Sequence, residues 1–488
     1  MHVPWHVPAL VAGLSTIATP SVAADPAMYA YVLFGQSPAG ATVPMARVVI
    51  DGAGQACPSL SGPGASVAMI ARANPNPSAF PVTVCEAVYP AGQSFKVGST
   101  SVTLPAVSAT TPKRVVVLGD TGCRNDPVKQ PCTPAAWPFA QVVAAAAGQQ
   151  PDLMIHVGDY NYRGTPSKIT LQGHQKPVKV YDAGDADDED DEAVETERAY
   201  YSQNMRGSSS PDGWAAWQAD FFAPAQASLP AAPWIFVRGN HELCSRAGPG
   251  YFYFLDPSSV LLGGGATQTV CPDQNGTLPS TLRFNQPYKI TLGSLSLVVI
   301  DSANADDTAS GNQAQYDAQL AAVAAMITKG TPAWVLTHRP FWGVMKPDKS
   351  ATTPSVINET LQTALGKTPG GAFSSDVKLV VSGHMHRFQA IGFNTARPPQ
   401  LIVGDGGVGL SHTYPKPDKK HPAAPFSLPV AGATGTGVGQ STFAFMRIEP
   451  AASGAWTSRL LDAKSNKVAE CRSDWAAATA KQAVCVLK

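Results

Sequence analysis

Five short apolar segments of this sequence each end in residues that can bind a metal ion. Segments of this length are typical of buried β-strands. Where parallel strands lie side by side, their carboxyl ends meet at one edge of the sheet, which is where such folds bind ligands. The sequence therefore predicts one crevice that collects six side chains, from two aspartates, one asparagine and three histidines. The segments are 115–118 before Gly119-Asp120, 153–157 before Gly158-Asp159, 233–238 before Gly239-Asn240-His241-Glu242, 334–337 before His338, and 379–382 before Gly383-His384-Met385-His386.

Segments with the residue spacing of helices lie between these predicted strands. Residues 137–149, 213–222 and 311–329 carry apolar side chains at intervals typical of helices. Alternating strands and helices indicate an α/β fold with helices on the faces of a sheet. Residues 442–448 and 458–461 are predicted to be closing strands of a second sheet.

The length of 488 residues favours more than one folding unit. Residues 1–24 are almost uncharged, contain an apolar run and end in small residues, which predicts a cleaved signal peptide and a secreted or periplasmic product. Residues 25–110 contain short apolar runs punctuated by Gly, Pro and Ser, which predicts an all-β accessory domain. Residues 111–488 form the third predicted region and contain all five segments.

Charge and hydropathy exclude two classes of partner. Lys plus Arg equals Asp plus Glu at 35 each, so no general positive field would attract nucleic acid or an anionic membrane. Beyond the signal segment, no stretch reaches the roughly 20 apolar residues of a spanning helix. The expected partner is a small molecule.

Eight cysteines in an exported chain predict disulfides. We favour pairing between sequence neighbours, although eight cysteines allow 105 connectivities. A zinc cluster is the alternative, but the sequence contains no Cys-x-x-Cys. The predicted pairs are Cys57–Cys85, Cys123–Cys132, Cys244–Cys271 and Cys471–Cys485.

An acidic insertion occupies residues 163–212, and eight of its residues 182–192 are Asp or Glu. A block of like charge repels itself, so we predict a solvated surface loop. A calcium site is the alternative, but the ligand spacing of a known calcium loop is missing.

Mixed oxygen and nitrogen side chains, as in the predicted crevice, suit iron, zinc or manganese. A carboxylate placed between two cations can bridge them, and two such ions can activate water and stabilise a phosphoryl oxygen. The chemistry of the crevice therefore indicates a two-metal hydrolase.

The five motifs that end the apolar segments, here called blocks one to five in chain order, resemble those of the calcineurin-like metallophosphoesterases. Within that superfamily they resemble the purple acid phosphatases. Many relatives have Asp-x-His in the first block, whereas this chain has Gly122 at the place of the histidine and Tyr162 three residues after Asp159. The helix around Trp214 and the Gly404-Asp405-Gly406-Gly407 turn are also similar to the family. The resemblance implies a metallophosphoesterase β-sandwich flanked by helices, with the N-terminal all-β region as an accessory domain.

The resemblance also implies a ligand set and a reaction. Fe(III) would be held by Asp120, Tyr162 and His386, with Tyr160 as the competing tyrosine. A divalent iron, zinc or manganese ion would be held by Asn240, His338 and His384. Asp159 would bridge both ions, a metal-bound hydroxide would attack phosphorus, and His241 would contact the phosphate or protonate the leaving group.

Relatives often carry a further histidine soon after the one matching His338, and this chain does not. Arg339, Lys346, His174 and His412 are the candidates to replace it. The leading function is hydrolysis of phosphate monoesters. A phosphodiesterase or nucleotide hydrolase with the same metal centre is one alternative, and a non-catalytic metal- or phosphate-binding surface protein is another.

Overall fold

The structure is a computed structural model of the chain. It describes residues 1, 28–124, 130–162, 212–244, 246–271, 284–305, 307, 312–345, 355–411, 424–427, 433–474 and 482–487. The predicted signal peptide, except for Met1, and the acidic insertion, except for Asp212, lie outside these residues, as do His174, Lys346 and His412.

Strands are the main described elements. The N-terminal strands are β1 (Met28–Gln36), β2 (Thr42–Asp51), β3 (Ser59–Gly62), β4 (Ala65–Ala68), β5 (Ile70–Ala71), β6 (Val82–Val88), β7 (Phe95–Val97) and β8 (Thr103–Leu104). The central strands are β9 (Val115–Leu118), β10 (Leu153–His156), β11 (Trp234–Phe236), β12 (Tyr288–Leu292), β13 (Leu295–Val299), β14 (Ala333–Leu336), β15 (Gly343–Met345), β16 (Ser355–Ile357), β17 (Val377–Ser382), β18 (Phe388–Phe393) and β19 (Gln400–Val403). The C-terminal strands are β20 (Ala424–Ser427), β21 (Thr434–Gln440), β22 (Ala444–Pro450), β23 (Trp456–Asp462), β24 (Lys467–Asp474) and β25 (Gln482–Leu487).

Helices are fewer and mostly short. They are α1 (Phe139–Gly148), α2 (Trp214–Trp217), α3 (Ala223–Ala225), α4 (Gly248–Phe254), α5 (Gln313–Met326) and α6 (Glu359–Gly366), with a π-helical segment Gln218–Phe222 between α2 and α3. The 3-10 turns are Leu229–Ala231, Asn240–Glu242, Val260–Leu262 and Pro369–Gly371. The three predicted helices over 137–149, 213–222 and 311–329 are therefore found within one or a few residues of their expected ends.

Two large sheets pack face to face. One contains eleven described strands in the order β25-β24-β23-β22-β9-β10-β11-β1-β2-β6-β5, and the other contains eight in the order β12-β13-β14-β17-β19-β18-β21-β20. Side chains alternate between the two faces of a strand. In β9, Val115 and Val117 enter the core between the sheets, whereas Val116 and Leu118 pack with α1 on the outer face. Helices α5 and α6 cover the outer face of the second sheet. This helix-flanked sandwich is the predicted fold class.

The five segments divide between the two sheets, whereas the sequence pattern predicted that they lie in one sheet. Strands β9, β10 and β11 are parallel neighbours in the first sheet, and β14 and β17 are parallel neighbours in the second. The prediction that β22 and β23 close a second sheet is wrong. β22 pairs antiparallel with β9, so both strands belong to the first sheet. Short strands of similar composition carry no sequence signal for which sheet they join.

The N-terminal strands contribute to two sheets. β1 pairs in parallel with β11 through Leu33 and Trp234, so β1, β2, β5 and β6 extend the first large sheet. β3, β4, β7 and β8 form a separate four-stranded sheet. The strand-rich character predicted for 25–110 is present, but the predicted boundary near residue 110 does not separate two sheets.

All four predicted disulfides are present. They join Cys57 to Cys85, Cys123 to Cys132, Cys244 to Cys271 and Cys471 to Cys485. Among the described residues, no helix is both long and apolar enough to cross a membrane.

Candidate metal centre

The predicted ligands lie just beyond the carboxyl ends of the five strands. Asp120 and Asp159 follow β9 and β10, and Asn240 opens a 3-10 turn after β11. His338 and His384 follow β14 and β17 of the second sheet. The two sheets thus face each other across one crevice, with ligand candidates arriving from both sides.

Three of these residues sit in the left-handed backbone region. The φ angles are 55° at Asp120, 60° at Asp159 and 73° at His384. A residue with a side chain occupies this region at a cost on the order of 1–3 kcal/mol, and such residues cluster at functional sites. The surrounding fold therefore holds tight turns that direct these three side chains into the crevice.

A first cluster forms around the Tyr162 hydroxyl. Ligand atoms of Asp120, Asp159 and His386 all lie within 4.8 Å of one another, and all three residues are buried. The Tyr162 hydroxyl is 3.0 Å from Asp159 Oδ2, 3.0 Å from His386 Nε2 and 3.3 Å from Asp120 Oδ1. One hydroxyl hydrogen cannot be donated to three acceptors at once, whereas a cation is attracted to all of them.

A second cluster forms around the Asn240 side chain. Ligand atoms of Asp159, His338 and His384 lie within 4.8 Å of one another. Asn240 Oδ1 is 2.8 Å from His338 Nε2 and 3.0 Å from His384 Nδ1. Asp159 is the residue that the two clusters share.

The His338 ring tests whether this cluster fits a metal. His338 Nδ1 is 2.8 Å from the Val157 carbonyl oxygen, which can only accept a hydrogen bond, so Nδ1 carries the proton. Burial, above all, lowers the pKa of His338, so the ring is neutral and Nε2 presents a lone pair. That lone pair faces Asn240 Oδ1 and, at 3.3 Å, Asp159 Oδ2. Three acceptors that converge without a donor between them fit a cation.

The first cluster uses Tyr162 and not the competing Tyr160. The Tyr160 hydroxyl donates to the Val237 carbonyl oxygen at 2.8 Å, and its ring stacks on His156 with centroids 3.9 Å apart. Gly122 makes room for the other tyrosine, because a Cβ there would lie 2.7 Å from the Tyr162 ring. The glycine at the place of the family's histidine and the tyrosine that enters the cluster are therefore physically linked.

Glu242 organises the loop that carries Asp159. Its Oε2 accepts from the backbone N–H groups of Asp159 and Gly239, each at 3.0 Å, and its Oε1 accepts from those of Tyr160 at 2.9 Å and Asn161 at 3.2 Å. Burial and the nearby Asp159 raise the pKa of Glu242 to about 8, while the amide donors act in the opposite direction. The sequence placed Glu242 in the third block but did not indicate this role.

His241 lies over the first cluster. Its backbone N–H donates to Asp159 Oδ1 at 2.9 Å, and its ring centroid is 3.9 Å from that of Tyr162. Burial and then the charge of Arg246 lower the pKa of His241 well below its usual value. Burial opposes ionisation of Asp159, but the backbone N–H that His241 donates to its Oδ1 favours the carboxylate, and the pKa of that carboxyl lies well below its usual value. The crevice thus pairs an ionised carboxylate with neutral imidazoles, the protonation states that bind metals.

The sequence missed Asp307, which contacts a predicted ligand from behind. Its Oδ2 is 3.0 Å from His384 Nε2 and forms an ion pair with Arg339. The Arg339 guanidinium is fully buried in this pair. Asp307 does not come directly after an apolar strand, so no local pattern singled it out.

Comparisons with known proteins give the family. A family model described as calcineurin-like phosphoesterase matches residues 113–388, more than half of the chain. The chain belongs to the calcineurin-like phosphoesterase family and is a metal-dependent phosphoesterase. It is similar in structure to the purple acid phosphatase PPD1 from yellow lupin (Lupinus luteus) seeds, with a TM-score of 0.49 and 13% identity, covering 91% of this chain and 73% of that one. No curated protein matched the sequence.

Proposed function

We propose that this protein is an exported phosphatase of the purple acid type, which hydrolyses phosphate monoesters at a centre of two metal ions. The observation that carries the proposal is the position of Asp159, whose carboxylate belongs to both clusters of ligand atoms. A shared carboxylate is what a two-metal site requires to hold its ions close together.

The two clusters differ in the metal that they suit. Asp120, Tyr162 and His386 offer a carboxylate, a phenol and an imidazole, so a hard Fe(III) ion is assigned to them. Asn240, His338 and His384 offer neutral donors, so a divalent iron, zinc or manganese ion is assigned there. Asp159 is assigned to both ions. Bound together, the ions would supply an activated water molecule and neutralise charge on the phosphate.

His241 is assigned to the substrate. Because burial and Arg246 keep its imidazole neutral, the ring is suited to donate a hydrogen bond to a phosphate oxygen. An approaching phosphate dianion raises the pKa of a neighbouring imidazole, which would then allow His241 to protonate the leaving group.

Export is supported by the four disulfides, which form and persist in oxidising compartments. Together with the signal-like first 24 residues, they support a site of action outside the cytoplasm for a secreted or periplasmic enzyme.

The test compares a generic aryl phosphate with a bis-aryl phosphate, with and without a chelator. We expect the native protein to hydrolyse the monoester faster and to lose activity in chelator. His241→Ala should keep both metals while turnover falls by about 10²–10⁴-fold, the size of a lost proton-transfer group. Preference for the diester would favour the phosphodiesterase alternative. Metal binding without hydrolysis of either ester would favour the alternative of a non-catalytic metal- or phosphate-binding protein.

A further inference from the structure

The two ring nitrogens of His384 face different partners. Nδ1 points into the second cluster, 3.0 Å from Asn240 Oδ1. Nε2 points away from it, 3.0 Å from Asp307 Oδ2. A neutral imidazole has one protonated nitrogen and one lone pair, so the group that binds Nε2 decides what Nδ1 offers to a metal.

Asp307 is held so that it accepts a hydrogen bond from Nε2. Its Oδ2 is paired with the buried guanidinium of Arg339, and its Oδ1 accepts from Asn358 Nδ2 at 2.6 Å. Asn358 is itself fixed as the N-cap of α6, where its side chain accepts from the Leu361 N–H at 2.8 Å. The Asp307 carboxylate is buried in its ion pair with Arg339, and a carboxylate can only accept hydrogen bonds.

Arg339 Nη1 also lies 3.0 Å from His384 Nε2. Both nitrogens are within bonding distance of the same Asp307 oxygen, and a carboxylate oxygen can accept from two donors. If Nε2 instead carried a lone pair, that lone pair would face the negative oxygen. The arrangement with the proton on Nε2 is therefore the favourable one.

The other histidine of this cluster has an equivalent partner. His338 Nδ1 donates to the Val157 carbonyl oxygen, which turns Nε2 toward the cluster. Metal-binding histidines commonly donate their outer N–H to a carbonyl or carboxylate, and loss of such a partner typically lowers metal affinity by about 10–100-fold.

We propose that Asp307, supported by Arg339 and Asn358, is a positioning residue that fixes the tautomer and ring direction of His384 and so maintains the divalent-metal position. This inference rests on the proposed function, because it takes the second cluster to be a metal position. Asp307 contacts His384 of the second cluster directly, so we expect the loss of its side chain to act on that side of the centre.

The test measures metal affinity and not only turnover. Full-length native protein and Asp307→Asn are stripped and titrated with Zn²⁺ against a competing chelator. We expect Asp307→Asn to bind the weaker zinc equivalent about 10–100-fold less tightly than the native protein, with the tighter equivalent unchanged. The matched control is Asp301→Asn, which breaks another buried ion pair, the one with Arg238 at 3.0 Å, and Asp301 is not an assigned ligand.

A second measurement avoids dependence on a variant that folds poorly. In the stripped native protein, nitrogen NMR of labelled histidine should place the His384 proton on Nε2. A proton on Nδ1, or equal zinc affinities in native, Asp307→Asn and Asp301→Asn proteins, would overturn the inference. Failure of the native protein to bind two zinc ions would instead overturn the proposed function.

Discussion

Tyr162 shows how a single glycine can determine which side chain enters a cluster. Its hydroxyl enters the first cluster only because Gly122 leaves space for the ring. The spacing from Asp159 was enough to select Tyr162 from the sequence by resemblance. The same spacing explains why Tyr160, two residues nearer, turns its hydroxyl to the Val237 carbonyl oxygen instead.

Colour tests the assignment of Fe(III) to this tyrosine. A phenolate bound to Fe(III) gives a broad charge-transfer band in the visible range, so the oxidised protein is expected to be pink to violet. Tyr162→Phe should lose the band and bind iron less tightly, whereas Tyr160→Phe should keep it. The absorption spectrum and iron content of the three proteins provide the measurement. A colourless native protein with two zinc or manganese ions would contradict the iron assignment and leave the phosphoesterase assignment intact.

The residues of the sequence motifs were predictable, but the residues that position them through hydrogen bonds were not. The candidate ligands follow apolar strands closely, and this local pattern is visible in the sequence. They are Asp120, Asp159, Asn240, His338 and His384. Asp307 reaches His384 across 77 positions, and Glu242 collects amides more than 80 positions away, so their contacts exist only once the chain has folded.

At the scale of elements, the tight turns after the strands form the centre. The turn after β19 also contacts this group of turns, because the Gly406 N–H donates to the Gly119 carbonyl oxygen beside Asp120. Its Asp405 is fully buried, and neither side-chain oxygen has a hydrogen-bond partner among the described residues. Burial raises the pKa of Asp405 to about 8.

The raised pKa of Asp405 predicts a pH dependence of stability. The folded-state pKa lies above the unfolded value of about 3.9, so the native state holds the proton more tightly. This contribution is fully present below about pH 4 and is lost as the pH rises toward about 8, at up to about 1.4 kcal/mol per pH unit. Asp405→Asn, which cannot ionise, should lack it. Denaturant unfolding of both proteins at pH 5 and pH 8 measures the difference, and equal losses would refute the prediction.

Strand positions were predictable to within a few residues, but their partners were not. Apolar runs bounded by glycine and polar residues marked β9, β10, β11, β14 and β17. Pairing across a sheet depends on contacts between distant segments, so the division into two sheets and the return of β22 to β9 were outside the reach of local pattern.

At the scale of the molecule, the centre joins the two sheets. The first sheet delivers Asp120, Asp159 and Asn240, and the second delivers His338 and His384. Under the proposed assignment, each metal position takes ligands from both sides of the crevice, and Asp159 contributes to both positions. Bound metals are therefore expected to stabilise the packing of one sheet against the other, because ligands that bind only the folded state raise its stability.

Metal analysis of native protein and Asp159→Ala, combined with aryl phosphate hydrolysis, tests the shared centre most directly. We expect two metal equivalents and turnover in the native protein. Asp159→Ala should lose both metals and all measurable activity, because removal of the shared carboxylate leaves two cations repelling each other at short range. Asp301→Asn, which lies outside the centre, should retain both metals. Two equivalents still bound to Asp159→Ala would contradict the account.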